Sequence, residues 1–186
     1  MSMHDELLIL LAARSARLGE FTLASGARSN LYIDARMTAM SPEGLALIGP
    51  LGMAAIREMN WKPDSVGGLT LGADPVSYAI AYASALARTP IRAFTVRKEA
   101  KTHGTGKLIE GPFQPTDRVV AIEDVITSGG SALSAIEAIT NAGATVVGVL
   151  SLVDREEGGR ERIEAQGYAV HSLARASEIV ALMKPV

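Results

Sequence analysis

The chain has 186 residues, enough for one domain with a substantial core and too few for two ordinary domains. Its formal net charge of −2 leaves no basic excess to neutralise a nucleic-acid backbone, and its apolar stretches are interrupted well short of a membrane span. The absence of cysteine excludes disulfides and thiolate chemistry and fits a cytoplasmic location. We therefore expect a single domain, residues 1–186, that binds neither nucleic acid nor membranes.

The first 38 residues stand outside the regular pattern that follows them. Leucines with helical spacing predict an amino-terminal helix that ends at Gly19; they are Leu7, Leu8, Leu10, Leu11 and Leu18. Short strands are predicted over 21–23 and 30–34, on either side of a glycine-containing turn. We expect residues 1–38 to form a small hood over a site on the main body.

From residue 41 onward, predicted strands and helices alternate along the chain. The strands are 65–69, 91–97, 119–123, 146–153 and 168–173, and the helices are 41–59, 74–87 (with Asp74 at its cap), a stretch ending at 141, 157–166 and 177–183. This alternation is typical of an α/β fold with a central parallel sheet flanked by helices. In such folds ligands bind at the carboxyl ends of the strands.

The segment after the strand at 119–123 carries the strongest chemical signal. Glu123 and Asp124 precede the turn at 127–131, which contains two glycines and three hydroxyl side chains and opens a helix. Free backbone N–H groups at a helix start and close backbone approach favour a phosphate there. Adjacent carboxylates instead favour neutral hydroxyls, such as a ribose diol, or a divalent cation. The pattern favours a ribose 5-phosphate site, and a plain strand-to-helix turn is the alternative for 127–131 taken alone.

Four segments, in order along the chain, resemble those of the orotate phosphoribosyltransferases, a branch of the type I phosphoribosyltransferases. Residues 119–131 are similar to the signature that binds phosphoribosyl diphosphate (PRPP) in that family. The other three segments are 21–34, 97–104 and the pair Asp154-Arg155. The resemblance covers essentially the whole chain. It implies transfer of ribose 5-phosphate from PRPP to orotate, which gives orotidine 5′-monophosphate and diphosphate in pyrimidine biosynthesis.

The resemblance also implies which residues contact PRPP. They lie in the segment 97–104 and in the signature at 119–131: Arg97, Lys98, Lys101, His103, Glu123, Asp124, Val125, Ile126, Thr127, Ser128, Gly129, Gly130 and Ser131. Lys101, His103 and Asp124 would be catalytic. The two cations would stabilise the departing diphosphate, and Asp124 would stabilise the positive ribosyl centre.

Residues 98–111 carry three lysines, a histidine and several glycines without apolar periodicity, which predicts a long flexible loop that acts as a lid. The resemblance implies that this loop enters the site of a neighbouring subunit, so a homodimer that shares Arg97, Lys101 and His103 is expected. It also implies Mg²⁺ as cofactor. We expect substrate oxygens and water, and not a protein cage, to hold most of that ion.

The segment Thr70-Leu71-Gly72 follows the strand at 65–69, and its backbone amides could bind diphosphate. A tight connection that needs small residues is an equally good interpretation. The resemblance implies a non-proline cis peptide at Thr70–Leu71. It assigns orotate to Arg155, whose guanidinium can bind a carboxylate through two parallel hydrogen bonds, with Thr127 also near the base. A surface ion pair is the ordinary alternative for Arg155.

Two positions depart from the family pattern. Ala24 and Gly72 stand where many relatives have lysine, so two cationic contacts are absent, and Arg28 or Arg36 are the candidates to compensate. Two other functions remain open: transfer to a purine or another base, and PRPP sensing without catalysis. Lys101 and His103 argue against a mere sensor, as does the lack of a DNA-binding extension.

Overall fold

The computed structural model describes residues 1–22, 28–99 and 108–183. The predicted catalytic residues Lys101 and His103 lie outside the described residues, as does Ala24. The elements are α1 (Met3–Arg14), β1 (Ala16–Thr22), β2 (Arg28–Ile33), α2 (Arg36–Ala39), α3 (Pro42–Glu58), β3 (Ser65–Leu69), α4 (Ala73–Leu86), β4 (Arg92–Val96), β5 (Ile109–Glu110), β6 (Arg118–Ile126), α5 (Gly130–Asn141), β7 (Thr145–Asp154), α6 (Gly159–Glu164), β8 (Val170–Arg175) and α7 (Ala176–Leu182).

Six strands form the main sheet in the order β5-β4-β3-β6-β7-β8. All neighbouring pairs run parallel except β4 and β5, where a short antiparallel pairing sets Thr95 opposite Glu110. The predicted parallel sheet flanked by helices is confirmed. From β3 the chain moves outward to β4 and then returns to β6 on the other side, so the strand order reverses between β3 and β6. A crevice forms at such a switch point in an open α/β sheet.

The pairing between β3 and β6 is short. It joins three residue pairs and ends at Gly67 and Ala121, whereas β6 continues to Ile126 beside β7. Beyond Ala121, one side of β6 therefore no longer has a strand neighbour. Glu123 and Asp124 lie in this unpaired stretch, at the side of the sheet where β3 gives way to its loop.

Alternation along β6 divides the core between the two faces of the sheet. Val120 and Ile122 pack in a cluster with residues of α1, α3, α4 and α7, while Val119 and Ala121 pack in a second cluster with residues of α5 and α6. Successive side chains of a strand point to opposite faces, so one strand contributes to both clusters. Within the described residues, no helix is long and apolar enough to cross a membrane.

The predicted helix end at Gly19 is wrong. α1 begins with a capping box between Ser2 and Asp5 and ends at Arg14, and Leu18 belongs to β1. Leu18 follows Leu11 by seven residues and so continues the helical spacing by coincidence. The chain leaves the helix because Ser15 is engaged elsewhere: its hydroxyl lies 2.7 Å from that of Thr38, and its carbonyl accepts from the backbone N–H of Asp34 at 2.9 Å.

Other differences concern the ends of elements. β6 extends three residues past the predicted end at 123, so both acids lie within the strand. α2 and β5 were not predicted, and β5 lies inside the segment 98–111 that was expected to be a loop throughout. Asp74 does not cap α4, because the N-cap is Gly72 and Asp74 is already in the first turn.

Asp117 joins the starts of three strands. Its carboxylate is 2% exposed and accepts from Ser65 Oγ at 2.8 Å, from Arg92 Nη2 at 2.5 Å and from the backbone N–H of Gln114 at 3.2 Å. Ser65 begins β3, Arg92 begins β4, and Asp117 immediately precedes β6. One buried acid thus fixes the end of the sheet opposite the crevice.

We predict that Asp117→Ala lowers the free energy of unfolding by about 2–3 kcal/mol, because it leaves Arg92 and Ser65 without their acceptor. Urea unfolding followed by circular dichroism measures the change. Glu43→Ala is the control: it removes the exposed ion pair with Arg14, whose atoms are 3.0 Å apart, and should leave stability nearly unchanged. Equal losses in the two variants would contradict the role assigned to Asp117.

Candidate active site

A cleft of about 360 Å³ opens where β3 and β6 separate. Residues of the hood and of the loops after β3, β4, β6 and β7 line it together. Ten residues that the sequence singled out are among the lining: Thr70, Leu71, Gly72, Lys98, Glu123, Asp124, Val125, Thr127, Ser131 and Arg155. Gly130 lines an adjoining cavity that also includes Lys98 and Ser131. The carboxyl end of the sheet thus gathers most of the predicted set.

The turn after β6 has the geometry of an anion site. Gly129 is the N-cap of α5 with a φ of 75°, in the left-handed region that favours glycine, and no side chain of the described residues caps this helix. The first N–H groups of α5 therefore remain available to a ligand. Ile126 differs from its neighbours because its side chain is buried in the core, so its backbone is what it can offer a ligand.

Two residues of the following α6 segment support this turn, and sequence reasoning missed both. Arg162 Nη1 donates to the carbonyl of Ser128 at 3.1 Å. A Cβ on Gly159 would lie 2.2 Å from the carbonyl oxygen of Thr127, so only glycine allows α6 to approach this closely. The adjacent glycines at 158 and 159, soon after a predicted strand, were the available sequence signal.

Glu123 and Asp124 form an acid pair on the wall of the cleft. Glu123 is 8% exposed, and its Oε2 has no hydrogen-bond partner among the described residues. Burial, and secondly the nearby charge of Asp124, raise the pKa of Glu123 to about 9. Glu123 is therefore protonated at neutral pH in the free protein and can donate a hydrogen bond, whereas Asp124 presents oxygen acceptors.

Gly72 lies directly against Asp124. A Cβ on residue 72 would come within 2.4 Å of the Asp124 carboxylate, so any larger residue there requires that side chain to move. The sequence identified Gly72 as a departure from a common lysine but gave no reason for it. In this chain the glycine leaves Asp124 the space that it occupies.

Arg155 connects the sheet to the hood. Its side chain is buried, and Nη2 donates to Ser29 Oγ at 3.2 Å, to the carbonyl of Leu31 at 3.0 Å and to Glu157 Oε1 at 2.6 Å. Its Nε is buried without a partner among the described residues. Arg155 does form an ion pair, but a buried one at the cleft wall, and one strong donor remains unused.

The remaining cations are arranged differently. Arg97 Nε pairs with Glu110 Oε1 at 3.0 Å, and this side chain does not line the cleft. Arg36 does line the cleft but is bound to Asp34 through contacts of 2.8 Å and 3.0 Å, and its hydrogen bond lowers the pKa of that acid. Arg28 lies beside a separate cavity with Phe21. Of the two candidates for compensation, Arg36 is the one at the cleft.

The loop after β3 closes the opposite side of the cleft. Its Thr70–Leu71 peptide bond is cis, as the resemblance implied. Gly72 is the N-cap of α4, and within the described residues no side chain caps this helix. A second helix start therefore adjoins the cleft, directly after the lining residues 70–72.

We predict that Glu123→Gln stabilises the protein increasingly as pH rises. Between the usual glutamate pKa of 4.5 and the folded value of about 9, the folded protein retains a proton that the unfolded chain releases. The contribution of Glu123 to stability therefore falls with rising pH in this window, by up to about 1.4 kcal/mol per pH unit, and the neutral amide escapes this loss.

Unfolding free energies at pH 5 and pH 8 test this expectation. The advantage of Glu123→Gln should be small at pH 5 and large at pH 8. Glu137→Gln, at an exposed position of α5, is the control and should follow the unaltered protein at both pH values. Parallel profiles for all three proteins would contradict a protonated Glu123.

Comparison with known proteins places these features in a family. The model for the phosphoribosyl transferase domain matches residues 41–175. A protein of Aquifex aeolicus named orotate phosphoribosyltransferase is 45% identical over 180 residues, which cover 95% of this chain and 97% of that protein. One of Rhodopseudomonas palustris with the same name is 45% identical over 175 residues, 92% of each.

Solved structures agree with the sequence relatives. Orotate phosphoribosyltransferase of Mycobacterium tuberculosis in complex with Fe(III) dicitrate matches with a TM-score of 0.84 and 41% identity, over 96% of this chain and 99% of that one. The same enzyme in complex with PRPP matches with a TM-score of 0.81 and 38% identity, over 96% and 99% of the two chains.

Proposed function

Because this chain belongs to the phosphoribosyltransferase family, and within it to the orotate phosphoribosyltransferases, we propose that it transfers ribose 5-phosphate from PRPP to orotate. The products are orotidine 5′-monophosphate and diphosphate, and the step belongs to pyrimidine biosynthesis. One observation carries the proposal: an acid pair lines the same cleft, at the switch point of the sheet, as the starts of two helices that no side chain of the described residues caps. That arrangement suits a pentose with an anionic group at each end.

The charges around the cleft suggest where each part of PRPP would bind. The 5-phosphate would bind the backbone N–H groups of the turn at 127–131, which also offers hydroxyl donors. The ribose diol would donate to Asp124 and accept from the protonated Glu123, so the buried Oε2 gains a partner. The diphosphate would lie against the segment 70–72 at the start of α4, with Lys98 nearby in the lining.

Orotate would be recognised by its carboxylate at Arg155. The buried Nε is a donor without an acceptor among the described residues, and Arg155 lines the cleft next to the hood. A carboxylate that replaced Glu157 at Nη2 and also accepted from Nε would form the two parallel bonds that a guanidinium favours. Thr127 and Tyr32, which also line the cleft, would then flank the base.

The reaction breaks the bond between ribose C1 and the diphosphate and forms a bond between C1 and N1 of orotate, and N1 releases its proton to the solvent. Negative charge collects on the departing diphosphate while positive charge develops at the sugar. We assign the first charge to Lys98, Lys101 and His103, and the second to Asp124. Lys101 and His103 lie outside the described residues, so their roles rest on the family resemblance alone.

Mg²⁺ is proposed as the cofactor. Within the described residues, no group of three or more histidine, aspartate or glutamate side chains is arranged to hold a metal ion. The proposed ion would take most of its ligands from PRPP oxygens and water, with Asp124 as the contact from the protein. Bound in this way, Mg²⁺ would neutralise charge on the diphosphate.

We predict that the purified protein consumes orotate in the presence of PRPP and Mg²⁺ and releases diphosphate, measured by the loss of orotate absorbance. Uracil and purines, which lack the carboxylate, should be poor substrates.

In the same assay Lys101→Ala should reduce kcat by on the order of 100- to 1000-fold while PRPP binding changes far less. Turnover of a purine without turnover of orotate would reject this function, and PRPP binding without turnover of any base would indicate a sensor.

We further propose that the protein is a homodimer joined through the exposed face of α4. Tyr78, Tyr82 and Leu86 follow one another at intervals of four residues, and the last two are each 69% exposed. α2 contacts α4 and adds the exposed side chains of Met37 and Met40. Apolar patches of this kind mark interaction sites. A partner on this face would lie beside the cleft, because α4 begins at the segment 70–72.

We predict that Leu86→Glu converts the dimer to monomers, because it places a charge in the apolar contact, and that turnover falls with it. Light scattering measures the mass. Leu182→Glu is the control: it makes the same change at an exposed leucine of α7 and should leave the dimer intact. Dissociation by both variants, or by neither, would remove the contact from α4.

Mixed dimers can show whether residues 98–111 of one subunit act in the site of the other. If Lys101 acts in the partner's site, chains with Lys101→Ala and chains with Asp124→Asn should complement each other when unfolded together and refolded. Random assortment would restore about a quarter of the unaltered activity, because half of the dimers would each contain one intact site. No gain above the two parent variants would show that each chain uses its own Lys101.

Two further expectations accompany this function. We infer a cytoplasmic location, which a cysteine-free sequence fits. We also infer that the chain acts as a single domain with residues 1–38 as the hood. Contacts of α1 with α3 and α7, together with the bonds from Arg155 to Ser29 and Leu31, support a hood that is firmly joined to the body.

A further inference from the structure

We propose that Asp74 is a positioning residue that holds the segment 70–72 in place through the hydroxyl of Thr70. The inference rests on the proposed function, because it takes this segment to be the part of the protein that binds diphosphate.

Both carboxylate oxygens of Asp74 are used by threonines. Thr70 Oγ1 donates to Oδ2 at 2.7 Å, and Thr95 Oγ1 donates to Oδ1 at 2.8 Å. Thr70 belongs to the loop after β3, whereas Thr95 lies in the neighbouring strand β4. One side chain at the start of α4 thus ties the loop to a rigid strand. The backbone N–H of Thr70 adds a bond to the carbonyl of Val96 at 2.8 Å.

The direction of these bonds follows from the number of protons available. A threonine hydroxyl has a single proton, and Thr95 gives its proton to Asp74. In the contact of 2.8 Å between Thr95 Oγ1 and the hydroxyl of Tyr78, Tyr78 must then be the donor. The chain of donors runs from Tyr78 to Thr95 to Asp74, and Thr70 approaches Asp74 from the other side. Loss of the carboxylate would remove the acceptor at the centre of this chain.

The same bonds explain why the start of α4 stays open. An aspartate in the first turn of a helix commonly accepts from the free N–H groups there. Both oxygens of Asp74 instead accept hydrogen bonds from threonine hydroxyls, and no other side chain of the described residues caps the helix. The amide groups next to Leu71 and Gly72 are therefore left for an anion, while the negative charge of Asp74 is turned toward two neutral donors.

Asp74→Ala should raise the KM for PRPP about tenfold, because the loss of a hydrogen bond to a charged group is typically of this size. The KM for orotate should stay within about twofold, since Arg155 lies on the other side of the cleft. Asp74→Asn should recover much of the affinity, because its amide can still accept from one threonine and donate to the other. Ser77→Ala is the control: it removes a buried hydroxyl of α4 that bonds to the carbonyl of Ala73, and the KM for PRPP should not change.

Thr70→Val and the double variant with Asp74→Ala test the route of the effect. If Asp74 acts through Thr70, the double variant should be no worse than Asp74→Ala alone. Independent, multiplying effects would overturn the inference. Thr95→Val removes one of the two donors with little change of shape, and it should reproduce part of the rise in KM even if Asp74→Ala fails to fold; an unchanged KM in Thr95→Val would also overturn it.

Different outcomes would contradict the proposed function and the role of Asp74. An unaltered protein that does not turn over orotate with PRPP would contradict the proposed function. An active protein in which Asp74→Ala leaves the KM for PRPP within twofold would contradict only the role of Asp74. A general loss of stability, with both KM values rising together, would show that Asp74 serves the fold and not the loop.

Discussion

The short pairing between β3 and β6 is the constraint on which the site depends. The two strands share three residue pairs and then separate, while β6 continues beside β7 alone. Separation leaves a gap at the carboxyl edge, and the groups proposed to touch PRPP within the described residues, except Arg97, lie around that gap or in the turns that follow the two strands. The buried carboxylate of Asp117 holds the opposite ends of β3, β4 and β6 together, so the strands diverge from a fixed origin.

The site carries an energetic cost that the fold does not need. Among the described residues, Glu123 is buried beside Asp124 with one oxygen that has no partner, and Arg155 is buried with an Nε that has none. A structure selected for stability alone would provide partners for both groups or replace them with apolar ones. Their presence in the lining of one cleft fits a ligand with complementary groups: hydroxyls for the acid and an anion for the guanidinium.

Local patterns in the sequence were sufficient for much of this arrangement. The strand 65–69 was predicted with its observed bounds, and the turn at 127–131 and Arg155 fall at strand ends because continuous apolar runs mark the strands that precede them. Contacts between distant side chains could not be read in this way. The partners of Asp74, Arg155 and Gly159 lie on other elements, and the burial of Glu123 depends on where β3 stops pairing, which no single segment reveals. The helical spacing of Leu18 misled because a seven-residue interval fits a helix even where the chain has already turned into a hairpin.

The ion pair between Arg155 and Glu157 has a consequence for discrimination among bases. The guanidinium is already partly neutralised by a carboxylate of its own chain, at 2.6 Å. A base without charge has nothing to exchange for that bond and would leave Arg155 as it is. An anionic base can compete for the guanidinium directly. It would also gain a hydrogen bond from Nε, which has no partner among the described residues. Glu157 would thus compete with the ligand for Arg155. Only a base with a carboxylate could replace it, so neutral pyrimidines would be rejected on electrostatic grounds.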